Sequence, residues 1–202
     1  MIAVIDYGVG NLFSVEKALI AAGGEVVVTS DAETIKNADK LVLPGVGAFG
    51  DCMKNLENAG LTDVIKEEIR NKKPLLGICV GLQLLFEESE ESPGVKGLGI
   101  FKGSIKKIDA KGAKLPHIGW NSLDITGVKG DIDLFDGLKE NSYVYFVHSY
   151  HANTSEDIIT ATTEYGERVT AAISKGNVAA TQFHPEKSGD VGLKILENFV
   201  NS

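Results

Sequence analysis

The sequence predicts an α/β fold built on a doubly wound, mostly parallel sheet with an antiparallel extension. Short apolar, β-branched runs alternate with helical segments through about the first 100 residues. Such alternation implies parallel strands joined by right-handed helical crossovers. The strand-like runs lack polar alternation, as expected of a sheet covered on both faces. After about residue 100, strand-like segments follow one another with few helices between them, which predicts an antiparallel addition to the same sheet.

The first half contains four predicted strands separated by helices. A glycine-rich break at Gly8-Val9-Gly10-Asn11 leads into a helix from Leu12 to Ala22. Two helices are expected between the third and fourth strands, and the second has an apolar face formed by Leu61, Val64, Ile65 and Ile69. The four predicted strands are Ile2 to Asp6, Glu25 to Thr29, Lys40 to Leu43 and Pro74 to Ile78.

The second half is predicted to be mostly strands, and a helix from Gly189 to Phe199 closes it. No linker rich in Pro, Gly or Ser divides the halves, so residues 1–202 are expected to form a single domain. The acidic run from Glu87 to Glu91 is interpreted, for most of its members, as a solvated helix end. The predicted strands are Ile105 to Ile108, Val144 to Val147, Ile158 to Thr163, Val169 to Ser174 and Val178 to Gln182.

Composition excludes several classes of protein. With 28 acidic and 20 basic residues, the net charge is −8 and the pI about 5.0, which argues against a general nucleic-acid binder. No apolar run reaches the roughly 18 residues that span a bilayer, and the N-terminus lacks the basic start of a signal peptide, so a cytoplasmic location is expected. Cys52 and Cys79 lack Cys-x-x-Cys spacing, so we expect no metal site and at least one free thiol.

The segment Gly77-Ile78-Cys79-Val80-Gly81 has the pattern of a nucleophile elbow with cysteine in the serine position. Gly77 and Gly81 would leave space in a tight turn from strand to helix. The helix N-terminus would favour the thiolate of Cys79, and the Val80 amide would point at a developing oxyanion. The alternative is that Cys79 is a small buried hydrophobic residue.

A cysteine nucleophile needs a base, and His184-Pro185-Glu186 offers one. In an extended segment residues i and i+2 point the same way, so Glu186 can reach the imidazole of His184, while Pro185 would keep the backbone extended. The carboxylate would fix the tautomer and offset the imidazolium charge. Alone, the tripeptide would be interpreted as a surface histidine beside an acid. The remaining histidines are expected to be structural or interface residues: His117, His148 and His151.

The loop Pro44-Gly45-Val46-Gly47 follows a predicted parallel strand, at the edge where ligand crevices lie in such sheets. Its backbone amides could supply a second oxyanion donor. By itself the pattern is only a turn, and it is not a phosphate loop because no Lys-Ser/Thr follows. Cys52, in the helix predicted next, is interpreted as a packing residue.

The elbow, this loop and the His-Pro-Glu segment, in this order and spacing, resemble the class I glutamine amidotransferase family over essentially the whole chain. Within the family, further segments resemble the glutaminase subunits of imidazole glycerol phosphate synthase. The sequence differs from relatives at two loops: relatives commonly carry Pro-Gly-Gly at the Pro44 to Gly47 loop, and some have a proline in the loop from Gly8 to Asn11. The further segments are Gly94-Val95-Lys96-Gly97-Leu98, His117-Ile118-Gly119-Trp120-Asn121 and Phe146-Val147-His148-Ser149-Tyr150.

This resemblance implies a flavodoxin-like fold and an enzyme made of two proteins. The glutaminase hydrolyses glutamine to glutamate and ammonia, and a separate (β/α)₈ cyclase uses the ammonia in histidine biosynthesis. The cyclase products would be imidazole glycerol phosphate and aminoimidazole carboxamide ribotide. No cofactor, metal, nucleic acid or membrane is implied. Cys79 would attack the glutamine amide, His184 would transfer protons, and Glu186 would orient His184.

The resemblance also assigns residues around this triad. Backbone amides of Val80, Val46 and Gly47 would hold the oxyanion. Glutamine would be bound by Gln83, by Glu91, which would pair with the α-ammonium group, and by Gly47, Ser149 and Tyr150. The cyclase would dock over the site and contact Asn11, Trp120, Tyr145 and Lys187. Trp120 would also suit a hydrophobic core.

Other functions remain open at this point. The chain could be a flavodoxin-like binding module, a free-standing cysteine hydrolase, or a glutaminase of another synthase, such as one making anthranilate, guanylate or pyridoxal phosphate. A synthase glutaminase should be nearly silent until its partner is bound and loaded. The expected switch is a peptide flip in the Pro44 to Gly47 loop that completes the oxyanion hole.

Overall fold

The computed structural model describes residues 1–202 and is organised around an eight-stranded sheet. The strands of the whole chain are β1 Ile2–Ile5, β2 Val26–Thr29, β3 Lys40–Leu43, β4 Leu75–Ile78, β5 Glu88–Ser89, β6 Ser104–Lys107, β7 His117–Ser122, β8 Asp124–Ile125, β9 Tyr143–His148, β10 Tyr150–Asn153, β11 Ile159–Tyr165, β12 Glu167–Lys175 and β13 Val178–Thr181. The helices are α1 Leu12–Ala21, α2 Ala32–Asn37, α3 Phe49–Asn58, α4 Thr62–Arg70, α5 Val80–Leu84 and α6 Gly189–Asn201, with a 3₁₀ turn at Pro185–Lys187.

The main sheet has the order β2-β1-β3-β4-β13-β12-β11-β8. Its first five strands are parallel, and β12, β11 and β8 are each antiparallel to the preceding strand. The predicted fold class, a mostly parallel sheet with an antiparallel extension, is therefore confirmed. The chain reverses direction across β1, and right-handed crossovers consequently place α1 on one face of the sheet and α2 on the other.

Helix packing agrees with this arrangement. Helix α1 packs against α6, and α2 packs against α4. The predicted apolar face of α4 is confirmed, since Leu61, Ile65 and Ile69 are buried. One hydrophobic core runs from Ile2 to Phe199 and includes residues of both halves of the chain. No helix is both long enough and apolar enough to cross a bilayer.

Two predicted strands do not belong to the main sheet, so the expectation that they extend it is wrong. The segment predicted from Ile105 to Ile108 forms β6, which joins the small sheet β10-β6-β5. The segment predicted from Val144 to Val147 forms β9, which pairs only with β7. Strand β9 pairs with β7 and β10 pairs with β6, so only β12, β11 and β8 extend the main sheet in the antiparallel direction.

The acidic run also differs from its prediction. Helix α5 ends at Leu84, and Glu88–Ser89 forms the short strand β5 beside β6. Glu88 is an exposed partner of Lys96 at 2.6 Å, while Ser89 is buried. The expected helix end is therefore wrong, because part of the run pairs with β6, but the expected solvation holds for Glu87, Glu88 and Glu90, which are exposed.

Candidate active site

Cys79 lies at the turn between β4 and α5, at the carboxyl edge of the main sheet. Its backbone has φ 54° and ψ −111°, a conformation that residues other than glycine rarely adopt and that is typical of a strained nucleophile turn. The Cys79 amide donates to the Thr181 carbonyl at 2.8 Å, which ties the turn to the neighbouring strand β13. A Cβ on Gly81 would overlap the Leu43 carbonyl oxygen, so the predicted need for glycine here is confirmed.

His184 follows β13, the sheet neighbour of β4, so adjacent strands bring the two predicted catalytic residues to one edge. His184 Nδ1 is 2.7 Å from Glu186 Oε1, and both side chains are buried. His184 Nε2 has no protein partner. Gln182 Nε2 lies 3.7 Å from Cys79 Sγ, on the same side of the site.

The backbone between His184 and Glu186 differs from its prediction. Pro185–Lys187 forms a 3₁₀ turn rather than an extended segment. The expected extension was wrong because the fixed φ of Pro185 also suits the first position of a helical turn. The Lys187 amide closes the turn by donating to the His184 carbonyl at 3.0 Å, and the Ser188 hydroxyl donates to the same carbonyl at 2.6 Å.

The electrostatics of His184 favour its imidazolium form. Burial lowers the pKa of His184, but the proximity of Cys79 and the hydrogen bond and charge of Glu186 outweigh burial and raise the pKa to about 10. A buried imidazolium beside a carboxylate and a thiol can donate a proton from Nε2 and take it back. This is the arrangement that nucleophilic catalysis by cysteine requires.

A cavity of about 280 Å³ lies over Cys79 and His184. Glu186 does not line it and lies behind His184. The cavity wall also contains Pro116, Val147 and His148, which the sequence did not suggest as site residues. The predicted residues that line it are Val46, Gly47, Cys79, Val80, Gln83, Glu91, Ser149, Tyr150 and His184.

Two polar side chains of the cavity are held by specific contacts. Glu91 Oε2 accepts a hydrogen bond from the Phe49 amide, at the start of α3, at 2.8 Å. The buried Gln83 donates from Nε2 to the Tyr150 carbonyl at 3.3 Å and to Gln182 Oε1 at 3.1 Å. Gln83 is therefore not a helix-surface residue, and the carbonyl of Tyr150 is fixed by it.

The Pro44 to Gly47 loop is held by hydrogen bonds to three successive carbonyls. Tyr7 Oη donates to the Pro44 carbonyl at 2.6 Å, the Val80 amide to that of Gly45 at 3.2 Å, and Cys52 Sγ to that of Val46 at 3.3 Å. The Val80 amide is thus already paired. Cys52 is fully buried, as a packing residue would be, and also contacts the loop.

Three of the four residues expected at a partner surface lie together. Trp120 is 55% exposed, so it is not a core residue, and its ring meets Tyr145 edge to face at 6.2 Å between centroids. Lys187 Nζ lies 6.0 Å from the centroid of the Tyr145 ring. Asn11 precedes α1 on the separate Gly8 to Asn11 loop, which packs beside Pro44.

Sequence reasoning missed Tyr7, Gln182 and the role of His148 in the cavity wall. Tyr7 follows β1 at the edge that carries the site, and this position was its only signal. Gln182 and His148 depend on pairing between distant strands, which leaves no local pattern.

Comparison with known proteins gives a consistent result. The family model for glutamine amidotransferase class I matches residues 3–202. Curated relatives include the imidazole glycerol phosphate synthase subunit HisH of Methanocaldococcus jannaschii, 54% identical over 99% of this chain and 98% of its own. The subunit of the same name from Bacillus cereus is 50% identical over 98% of this chain and 93% of its own.

Solved structures extend the comparison to the fold. A glutamine amidotransferase crystal structure matches with a TM-score of 0.75 and 18% identity, covering 99% of both chains. PurLQS from Thermotoga maritima matches with a TM-score of 0.75 and 20% identity, over 99% of this chain and 97% of that one. The match of the family model over nearly the whole sequence, together with curated relatives at half identity or more, makes this chain a member of the class I glutamine amidotransferase family.

Proposed function

We propose that this chain is the glutaminase subunit of imidazole glycerol phosphate synthase and releases ammonia from glutamine for a cyclase subunit. The observation that carries the proposal is that Cys79 and His184 line one cavity while Glu186 pairs with His184 at 2.7 Å. The names of relatives that are 50 to 54% identical support the choice of synthase. Residues 1–202 would act as one glutaminase domain in the cytoplasm.

The chemistry follows from the positions of the three side chains. Cys79 Sγ attacks the amide carbon of glutamine, and His184 Nε2 gives its proton to the departing nitrogen, so the C–N bond breaks and ammonia leaves. Water, deprotonated by His184, then adds to the γ-glutamyl thioester, which releases glutamate and restores the thiol. Glu186 holds the tautomer of His184 and offsets its positive charge throughout.

Oxyanion stabilisation would require the loop to change. The Val80 amide donates to the Gly45 carbonyl, so this donor is engaged by the loop. Rotation of the Gly45-Val46 peptide would release the Val80 amide and turn the Val46 amide toward the cavity. The rotation changes ψ of Gly45 and φ of Val46, and Gly45, which has no Cβ, offers the conformational freedom for it. One missing oxyanion donor costs roughly 2.7 to 4 kcal/mol at the transition state, which would keep the unbound subunit nearly silent.

Substrate binding would use the polar cavity wall. The Glu91 oxygen that does not accept from Phe49 would pair with the α-ammonium group of glutamine. Backbone groups of Gly47, Ser149 and Tyr150 would complete the amino-acid site, and Gln83 would support Tyr150.

The partner surface would be the face around Trp120, Tyr145 and Lys187, together with Asn11 on the separate Gly8 to Asn11 loop. Exposed aromatic residues beside a cation are typical of interface anchors. The His184 amide donates to the Tyr145 carbonyl at 3.0 Å, so this face is one hydrogen bond from the catalytic histidine. A (β/α)₈ cyclase bound here would form a heterodimer and receive ammonia directly through a channel.

The test is glutamate release from glutamine by the purified chain, alone and with its cognate cyclase loaded with its nucleotide ligand. We expect little activity alone, a strong rise with the loaded cyclase, and complete loss in Cys79→Ala. The matched control is Cys52→Ala, which removes the other thiol and should keep the activity of the complex.

Other outcomes would point to the alternative functions. Strong activity without a partner would favour a free-standing cysteine hydrolase. A lack of release under every condition would overturn the proposal and leave a binding module or a glutaminase that serves a different synthase.

A further inference from the structure

Two buried histidines beside the cavity form a chain of hydrogen bonds that ends on its wall. Strands β7 and β9 pair in the register that sets His117 opposite His148. His117 Nδ1 lies 3.1 Å from His148 Nε2, and His148 Nδ1 lies 2.8 Å from the Tyr150 carbonyl oxygen. At the other end, Asn121 Nδ2 lies 3.3 Å from His117 Nε2 and donates to the Glu164 carbonyl at 3.0 Å.

These contacts determine where each hydrogen lies. A carbonyl oxygen only accepts, so His148 Nδ1 carries the hydrogen and, in the neutral ring, Nε2 accepts from His117 Nδ1. His117 Nε2 then accepts from the Asn121 amide. Burial lowers the pKa of His117 to about 4 and, against the opposing effect of the Tyr150 carbonyl, that of His148 to about 3. Both rings are therefore neutral at pH 7, and every hydrogen bond runs in one direction, from Asn121 to Tyr150.

The chain of hydrogen bonds ends on backbone atoms of a segment that lines the cavity. The Tyr150 carbonyl accepts from His148 and from Gln83, and the Ser149 carbonyl accepts from the Ile108 amide at 3.0 Å. His148, Ser149 and Tyr150 all line the cavity over Cys79. The ring of His148 therefore holds the Ser149-Tyr150 segment together with Gln83 and the Ile108 amide.

Packing alone does not account for imidazole rings at these two positions. His117 is stacked between Phe146 and Tyr165, with centroid distances of 4.7 and 4.0 Å, where an apolar ring would also fit. What the imidazoles add is a complete set of hydrogen bonds in a buried place, and such a network holds its members in one geometry.

We propose that His148, held in place by His117, is a positioning residue that fixes the Ser149-Tyr150 backbone against which the amino-acid end of the substrate binds. This inference rests on the proposed glutaminase function. Neither histidine takes part in proton transfer, because the chain of donors is complete and does not reach Cys79 or His184.

The functional test compares KM and kcat for glutamine in the complex with loaded cyclase. His148→Phe keeps an aromatic ring but removes both hydrogen bonds, and we expect KM to rise about tenfold while kcat stays within about twofold. His148→Asn restores a donor at the position of Nδ1 and should bring KM back to within about twofold of the wild type. His151→Phe is the matched control, because His151 has the same 6% exposure and contacts Thr170 and Glu167 instead.

A spectroscopic test does not depend on activity. In ¹⁵N spectra of histidine-labelled chain at pH 7.5, His117 and His148 should show the neutral Nδ1–H tautomer. His151, whose Nδ1 accepts from the Thr170 amide at 3.1 Å, should show the Nε2–H tautomer.

The outcomes separate the two proposals. Nε2–H tautomers at His117 or His148, or an unchanged KM in His148→Phe when the wild type is active, would overturn the positioning role and leave the glutaminase function standing. An equal loss of kcat and kcat/KM in both His148 variants would indicate general structural damage and would also overturn it. A wild-type complex that does not cleave glutamine would overturn the proposed function first, and the positioning role with it.

Discussion

Two buried histidines beside the same cavity, His184 and His148, have pKa values shifted in opposite directions. Burial lowers the pKa of both His184 and His148, yet the pKa of His184 is raised to about 10 while that of His148 falls to about 3. The difference lies in the partners. His184 pairs with the Glu186 carboxylate and lines the cavity beside Cys79, whereas His148 contacts a backbone carbonyl and another neutral imidazole.

This comparison shows that burial does not by itself decide the charge of a histidine. Around His184, the effects of Cys79 and of the Glu186 carboxylate together outweigh burial, so a site that would otherwise exclude charge holds an imidazolium. The partners of His117 and His148 are neutral, so both rings stay uncharged. They can therefore position the Ser149-Tyr150 backbone without competing for the proton that His184 is proposed to transfer. The same cavity can therefore contain one histidine for proton transfer and another for position.

The largest expected effect is the loss of kcat when His184 is replaced. His184→Gln removes the only group placed to protonate the leaving nitrogen, so kcat for glutamate release in the loaded complex should fall by about 10²- to 10⁴-fold. Steady-state assays of the complex measure this, with His151→Gln as the control. Retention of more than about a tenth of the wild-type rate would be inconsistent with His184 as the general acid.

Removing the charge of the acid tests what separates the two histidines. Glu186→Gln keeps a hydrogen-bond acceptor but not the negative charge, so the pKa of His184 should fall toward its ordinary value and kcat should drop on the order of 10²-fold. A ¹⁵N titration of His184 in wild type and variant measures the shift. An unchanged pKa of His184 in the variant would show that Glu186 does not contribute to its raised value.

Acid stability tests the neutral pair. The folded pKa of His148 lies below its unfolded value, so the unfolded chain binds a proton first and stability is lost as pH falls from about 6.5. His148→Asn removes this titration. The difference in free energy of unfolding between the wild type and His148→Asn should therefore become smaller by about 2 kcal/mol when the pH is lowered from 7.5 to 5. Urea unfolding at both pH values measures it, and an unchanged difference would mean that His148 is not neutral in the folded chain.

The smallest expected effect concerns the Pro44 to Gly47 loop, which also lines the cavity. Cys52→Ala removes the donor to the Val46 carbonyl and should loosen the resting loop, raising glutamate release without the cyclase by about threefold, the equivalent of one weak hydrogen bond. Cys52→Ser keeps a donor and is the matched control. Equal rates for both variants would show that this contact does not hold the loop.

Local patterns in the sequence predicted most of the main sheet and the centre of the site. The strands β1, β3, β4 and β13 are short apolar runs that remain buried on both faces, and the elbow at Cys79 is specified by residues adjacent in sequence. His184 and Glu186 are two residues apart, so their proximity needed no knowledge of the fold, although the turn between them was predicted incorrectly.

The elements that were missed depend on distant partners. Strand β7 contains Gly119 and Asn121, which have low strand propensity, and it forms because β9 pairs with it along its whole length. Strand β10 likewise depends on β6. Helix α2 spans only Ala32–Asn37, too short for a clear period, although Asp31 caps it by accepting from the Thr34 amide at 2.8 Å.

The same dependence explains the missed site residues. Tyr7 matters because its hydroxyl reaches the carbonyl of Pro44, and Gln182 because β13 lies beside β4. Neither relation leaves a spacing that can be recognised in the sequence.

The position of β13 between β4 and β12 also determines the stage of folding at which the candidate active site forms. The strands that carry Cys79 and His184 pair directly, but their registered partners Ile78 and Thr181 are about 100 residues apart in the chain. Closing so long a loop is slow, so topology delays this pairing relative to the more local contacts among β1 to β4. In a partly folded chain Cys79 would thus lack the histidine proposed to act with it, and the proposed glutaminase site would form only as the centre of the sheet is completed.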